Sequence, residues 1–169
     1  MTIGKKIAVV ALGMTMAAGA FANNGDGYWK LGFGRMQSSA EGDATSENGF
    51  VLGYGRKLNM QTGDPSVMTG WEIFWARNGS GDRVDTLAVL FRGSKAIGEG
   101  KTYAGLGAGF AYHDIKVGIF DEAATKFAFT AFLGHNFSPE SFLELGFLWS
   151  GSVEGFDTDR MTLTVGVRF

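Results

Sequence analysis

The sequence holds two histidines, and only one of them has candidate nucleophiles placed for it. His113 precedes Asp114, and Ser150 and Ser152 end a later segment. A serine hydroxyl activated by an imidazole is the arrangement of nucleophilic catalysis, so His113 with Ser150 or Ser152 is the candidate catalytic set. A second chemistry is suggested by Glu72 and Glu144, since paired carboxylates can hydrolyse glycosides. The same segments carry Lys30, Arg92, Lys126 and Arg168, all at polar positions of an alternating pattern. That mixture of signs fits an interior ion-pair network of Lys30, Glu72, Arg92, Lys126, Glu144 and Arg168, in which charges taken out of water must pair with one another. Other chemistry finds little support. There is no cysteine, which excludes disulfides and thiolate metal sites. The acidic residues Glu41, Asp43, Glu47, Asp114, Asp121, Glu122, Glu154, Asp157 and Asp159 lack calcium-loop spacing, so no metal and no cofactor is expected. Gly105, Gly107 and Gly109 recur with period two and precede no helix, which is strand texture and not a phosphate loop.

The elements that carry these residues are strands. In the closing segment 160–169, Met161, Leu163, Val165, Val167 and Phe169 form an apolar face opposite Arg160, Thr162, Thr164, Gly166 and Arg168. Such alternation marks a strand between two environments. Seven earlier segments repeat it, at 27–37, 48–59, 67–78, 83–93, 101–112, 125–136 and 141–150. Their apolar faces carry residues such as Trp29, Leu52, Trp75, Phe91, Leu106, Phe129 and Leu145. Their other faces carry glycines and the charged residues named above. Polar loops are expected at 38–47, 113–124 and 151–159, and short turns at Thr62–Pro65 and Gly79–Asp82.

The N-terminus sets the compartment. Lys5 and Lys6 precede an apolar run that ends in Ala20-Phe21-Ala22, a three-part secretory signal too short for a spanning helix. The expected division is therefore a signal peptide over 1–22 and one domain over 23–169. Loss of the two lysines makes a chain of formal charge −2 more acidic, without the basic footprint of a nucleic-acid binder. Twenty-seven glycines with 14% aromatic residues suit curved strands and aromatic girdles. Lipid cannot satisfy an open sheet edge, so the fold class expected is an all-β, eight-stranded antiparallel up-and-down transmembrane β-barrel. The even strand count puts both termini on one side. Trp29, Trp71, Phe137 and Phe169 then fall near the periplasmic ends of the strands. Phe50, Trp75, Phe110, Tyr112 and Trp149 fall near the extracellular ends, and the Gly79–Asp82 link is short for that side.

On these residues the chain resembles the small bacterial outer-membrane barrels, the OmpX-like and OmpA-type membrane domains. The run Gly134-His135-Asn136-Phe137-Ser138-Pro139-Glu140 is similar to that superfamily's turn between strands six and seven, and Val165-Gly166-Val167-Arg168-Phe169 is similar to its closing motif. The resemblance implies a Gram-negative outer-membrane protein and makes Phe169 an assembly signal read by the barrel-assembly machinery. Its partners would be outer-membrane lipid, lipopolysaccharide and an extracellular surface ligand, with no nucleic acid, and the protein would be a monomer. A structural or interactive role follows, in envelope integrity, adhesion or surface binding, without an open channel. PagL-like deacylases and PagP-like acyltransferases are barrels of the same size, so a lipid A enzyme using His113 with Ser150 or Ser152 is the second reading, and a narrow pore the third. The His-x-Ser-Asn pattern of the deacylases is missing here, because Asp114-Ile115 follows His113. The amphipathic helix that leads the acyltransferases has no counterpart before Gly27.

Overall fold

Residues 26–36, 48–58, 66–79, 82–98 and 100–169 are described by the structure, a computed structural model. The expected signal peptide, the loop 38–47 and the turn Thr62–Pro65 lie outside them. Among the described residues ten strands occur: β1 (Gly27–Met36), β2 (Asn48–Leu58), β3 (Val67–Asn78), β4 (Arg83–Ile97), β5 (Thr102–Val117), β6 (Phe120–Asn136), β7 (Ser141–Trp149), β8 (Ser152–Val153), β9 (Phe156–Asp157) and β10 (Arg160–Arg168). Eight of them, β1 to β7 and β10, form a closed barrel of antiparallel pairs in the order β1-β10-β7-β6-β5-β4-β3-β2. The seam runs between β1 and β10 from Tyr28 opposite Arg168 to Met36 opposite Arg160. Beyond the last register pair, the Phe169 amide donates to the Gly27 carbonyl at 3.0 Å, and the Gly27 amide donates back at 3.3 Å. Closure leaves the wall no unpaired edge, the condition for crossing hydrocarbon.

Side chains sort by the alternation, and the apolar face is the outer one. Phe33 is 71% exposed and Leu106 70%, whereas Val51, Ala76 and Arg160 on the inner face are fully buried. A soluble sandwich would place these faces the other way round, because exposed apolar area of this extent is unstable in water. The end that holds Asp26, Phe169 and the β6–β7 turn is called the base here, and the opposite end the rim. Near the base, Tyr54 packs between Trp29 and Trp71, with ring centroids 4.7 and 5.5 Å away, and Phe169 stacks on it at 6.4 Å. Nearer the rim, Phe50 meets Trp75, and Phe127 meets both Phe110 and Phe129. Each group sits where an aromatic girdle would meet a membrane interface.

Two expected loops are instead ordered. The segment 113–124 is not a loop: β5 and β6 continue through it and reverse at Gly118-Ile119, with Val117 opposite Phe120. Gly118 takes φ +56°, a conformation glycine adopts without steric cost. The physical cause of the extension is that His113, Ile115 and Val117 carry the inward period onward. Ile115 and His113 are both fully buried. The segment 151–159 folds into the hairpin β8–β9, whose two turn residues, Glu154 and Gly155, both have positive φ, as a tight hairpin turn requires. The Asp159 carboxylate holds its foot, accepting from the amides of Ser150 at 2.7 Å and Gly151 at 3.0 Å.

Candidate functional site

The barrel interior is filled in layers. Nearest the base, the rings of Tyr103, Phe132 and Phe142 form an aromatic plug with Tyr28 packed against it. Further along the axis Val51, Phe74, Ala76, Ala88, Leu90, Ala111, Ala128 and Leu148 form a buried apolar cluster, beside which Thr86 and Arg160 are also buried. At the rim Met36, Val84, Ile115 and Val153 form a third cluster, covered by Phe156 of the β8–β9 hairpin. Glycines on the inner face make room for the long side chains. A Cβ at Gly53 would lie 2.8 Å from Cε of Lys30, and one at Gly134 would collide with the Tyr103 ring.

Four of the charged residues named from the sequence come together near the aromatic plug. The Lys30 ammonium, on β1, donates to Glu144 Oε1 on β7 at 2.7 Å and lies 2.9 Å from Glu72 Oε1 on β3. Arg92, on β4, donates through Nη2 to Glu144 Oε2 at 2.7 Å and through Nη1 to Glu72 Oε2. Each carboxylate thus bridges both cations, and the ring is electrically neutral. All four side chains are under 10% exposed. Two tyrosines complete it. Tyr28 donates to Glu72 Oε2 at 2.7 Å and accepts from Arg92 at 3.0 Å, and Tyr103 reaches Glu144 Oε2 at 3.3 Å. The Arg92 guanidinium also lies over the Phe132 ring, with Cζ 3.6 Å from the ring centroid. The ring has the geometry of a structural clamp: charge-assisted bonds from four strands satisfy groups that would otherwise be costly to bury.

Lys126 and Arg168 stand apart from this ring. Lys126 is half-buried toward the rim and makes no ion pair among the described residues. Arg168 lies at the base, donating to Asn136 Oδ1 at 2.7 Å and to the Pro139 carbonyl at 3.2 Å, with its Cζ 4.6 Å from the Phe142 ring. Both occupy inward positions, but at levels of the barrel where neither carboxylate stands.

The candidate catalytic residues have other partners. His113 is fully buried, and its Nδ1 is 2.9 Å from Thr86 Oγ1. Ser150 is 5% exposed, and its hydroxyl bonds Thr158 Oγ1 at 3.0 Å. Ser152 is exposed on β8. Serine and histidine are therefore not bonded as nucleophile and base. Arg160 is a buried cation that the sequence pattern placed on the inner face without assigning it a partner. It donates to Thr86 Oγ1 at 2.8 Å and lies 5.8 Å from the Phe74 ring. The signal for it was present in the alternation of β10 itself. A larger groove of about 860 Å³ lies on the outer wall. Its floor and sides are apolar residues such as Ala104, Leu106, Ala131, Leu133 and Phe147, which carry no catalytic chemistry.

No family model and no curated protein matches the sequence. Solved structures do match in fold. Neisserial surface protein A is 14% identical with a TM-score of 0.58, the likeness covering 84% of this chain and 95% of that one. Ail, the attachment invasion locus protein of Yersinia pestis, solved in complex with the heparin analogue sucrose octasulfate, is 19% identical with a TM-score of 0.57 and coverage of 87% and 100%. The N-terminal β-barrel domain of Pseudomonas aeruginosa OprF is 15% identical with a TM-score of 0.56 and coverage of 87% and 100%. The chain thus has the closed eight-stranded fold of the small outer-membrane β-barrels.

Proposed function

We propose that this protein is an integral outer-membrane barrel with a structural or interactive role exercised at its rim, and neither a pore nor an enzyme. The observation that carries this reading is the filled interior: an aromatic plug, a neutral ion ring and two clusters of buried apolar side chains occupy the lumen. The base with the chain termini would face the periplasm after removal of residues 1–22, and the rim would face outward. Outer-membrane lipid and lipopolysaccharide would surround a monomer, with Phe169 read by the barrel-assembly machinery.

The charge at the rim indicates what kind of surface partner fits. Asp82, Asp121, Glu122 and Glu154 are exposed there, with Asp157 and Asp159 half-exposed. Of the cations at that end, Arg77 is held by Asp85 at 2.6 Å, Lys116 by Asp121 at 2.7 Å and Arg83 by Asp85 at 3.4 Å, and with Arg35 and Lys126 they are fewer than the acids. An acidic rim does not complement a sulfated polyanion of the sort seen bound to Ail, and it favours a cationic partner. Cells displaying this protein should therefore bind a fluorescent polylysine more than cells lacking it, in a salt-sensitive way, and should bind heparin no better. Preferential heparin binding would reverse the assignment. The alternative of a lipid A deacylase or acyltransferase has a separate readout. Mass spectra of lipid A from cells with and without the protein should be identical, and a lost or added acyl chain would establish the enzyme.

A further inference from the structure

At the base the lumen opens into a small cavity of about 70 Å³ whose lining includes Arg56, Lys57, Arg92, Arg168, Thr69 and Tyr103. The one carboxylate among the lining residues, Glu144, is already engaged by Lys30 and Arg92. The floor is therefore neutralised, and Lys57 and Arg168 add positive charge at the mouth. Arg168 is fixed in place by Asn136, the Pro139 carbonyl and the Phe142 ring, and these two hydrogen bonds leave donors of its five-donor fork for a ligand. Arg92 is 7% exposed and its Nη atoms are committed to Glu72, Glu144 and Tyr28, so it forms the floor of the recess.

We propose that this basal vestibule is a binding site for a single phosphate group. Size limits the ligand. The recess, about 70 Å³, is small and open toward the base, so it can hold one compact oxyanion inside, with any larger attached group lying outside it. Chemistry selects the oxyanion, because guanidinium forks match tetrahedral oxygens in pairs and Lys57 adds a mobile point charge. Thr69 contributes a hydroxyl, although in the structure it donates to the Leu58 carbonyl at 3.0 Å, so it would act as a wall more than as a donor. The phosphate can come from free inorganic phosphate or from the headgroup of a phospholipid in the adjacent leaflet, and the two sources are separable.

The test is isothermal titration of the full-length barrel, folded in a zwitterionic detergent, with inorganic phosphate and separately with glycerol 1-phosphate as a headgroup mimic. Saturable one-to-one binding in either arm, weakening as sodium chloride rises, is the expected result. The arm that binds more tightly identifies the source. Arg168→Gln should weaken that binding by roughly tenfold, as loss of a charge-assisted contact does, and Lys57→Gln should weaken it in a barrel that keeps every interior bond. Arg77→Gln, at the opposite end, should leave it unchanged. Absence of saturable heat in both arms overturns the proposal. So does binding that neither Arg168→Gln nor Lys57→Gln affects, or chloride competing as strongly as phosphate.

Discussion

Glu144→Ala should destabilise the folded barrel by roughly 3–5 kcal/mol, the cost of leaving a buried cation without its counter-ion. The carboxylate accepts from Lys30 and Arg92 at 2.7 Å each and from Tyr103 at 3.3 Å, so its loss orphans donors on three strands at once. A urea titration followed by heat-modifiable gel mobility would show the midpoint fall. The double substitution Lys30→Met with Glu144→Leu should recover much of the loss. It removes one charge of each sign and leaves Arg92 with Glu72, and apolar groups of similar volume often replace a buried pair without penalty. A Glu144→Ala barrel as stable as the parent would show that water and not protein satisfies the ring.

Deletion of Phe169 should reduce the amount of protein assembled in the outer membrane severely, with little effect on the barrel that does assemble. Two features of the structure meet at this residue. Its ring stacks on Tyr54 beside Trp29 and Trp71, and its backbone exchanges two hydrogen bonds with Gly27 across the closing seam. The deletion loses a girdle ring and frays the last pair of the seam, whereas the register from Tyr28–Arg168 to Met36–Arg160 remains. Quantifying folded protein in outer-membrane fractions by its heat-modifiable band checks this. Normal assembly after deletion would contradict the role given to the terminal residue.

The strands and their facing were legible because the alternation of a two-environment wall is local information, written residue by residue. Segment 160–169 gave its own facing unaided, and the other seven followed the same rule. Where the strands stopped was less legible. A polar His113-Asp114 pair looks like the start of a loop, yet Ile115 and Val117 continue the inward period and β5 continues with them. The Glu154-Gly155 turn was hidden for a related reason, since glutamate rarely adopts the positive φ it has here.

The ion ring depends on a different kind of information. Lys30 and Glu144 are 114 residues apart and on strands that are not neighbours in the wall. Facing tells which side chains enter the lumen, but only the register of every intervening pair tells at what height. Lys126 and Arg168 share the facing of the ring residues and stand at other levels. Tyr28 and Tyr103 belong to the ring and were invisible to a charge-based search, because an inward tyrosine reads as apolar bulk. Arg160 shows the same gap from the other side: its facing was evident, and its partners, Thr86 and the Phe74 ring, were not.

The central claim is a membrane-spanning barrel with a sealed interior, and planar-bilayer recording of the purified full-length protein tests it most directly. Insertion should produce no steady single-channel conductance above the bare-bilayer background if the aromatic plug, the ion ring and the buried apolar clusters that occupy the lumen close it as proposed. Reproducible unitary steps that persist across preparations would contradict it and make the protein a pore.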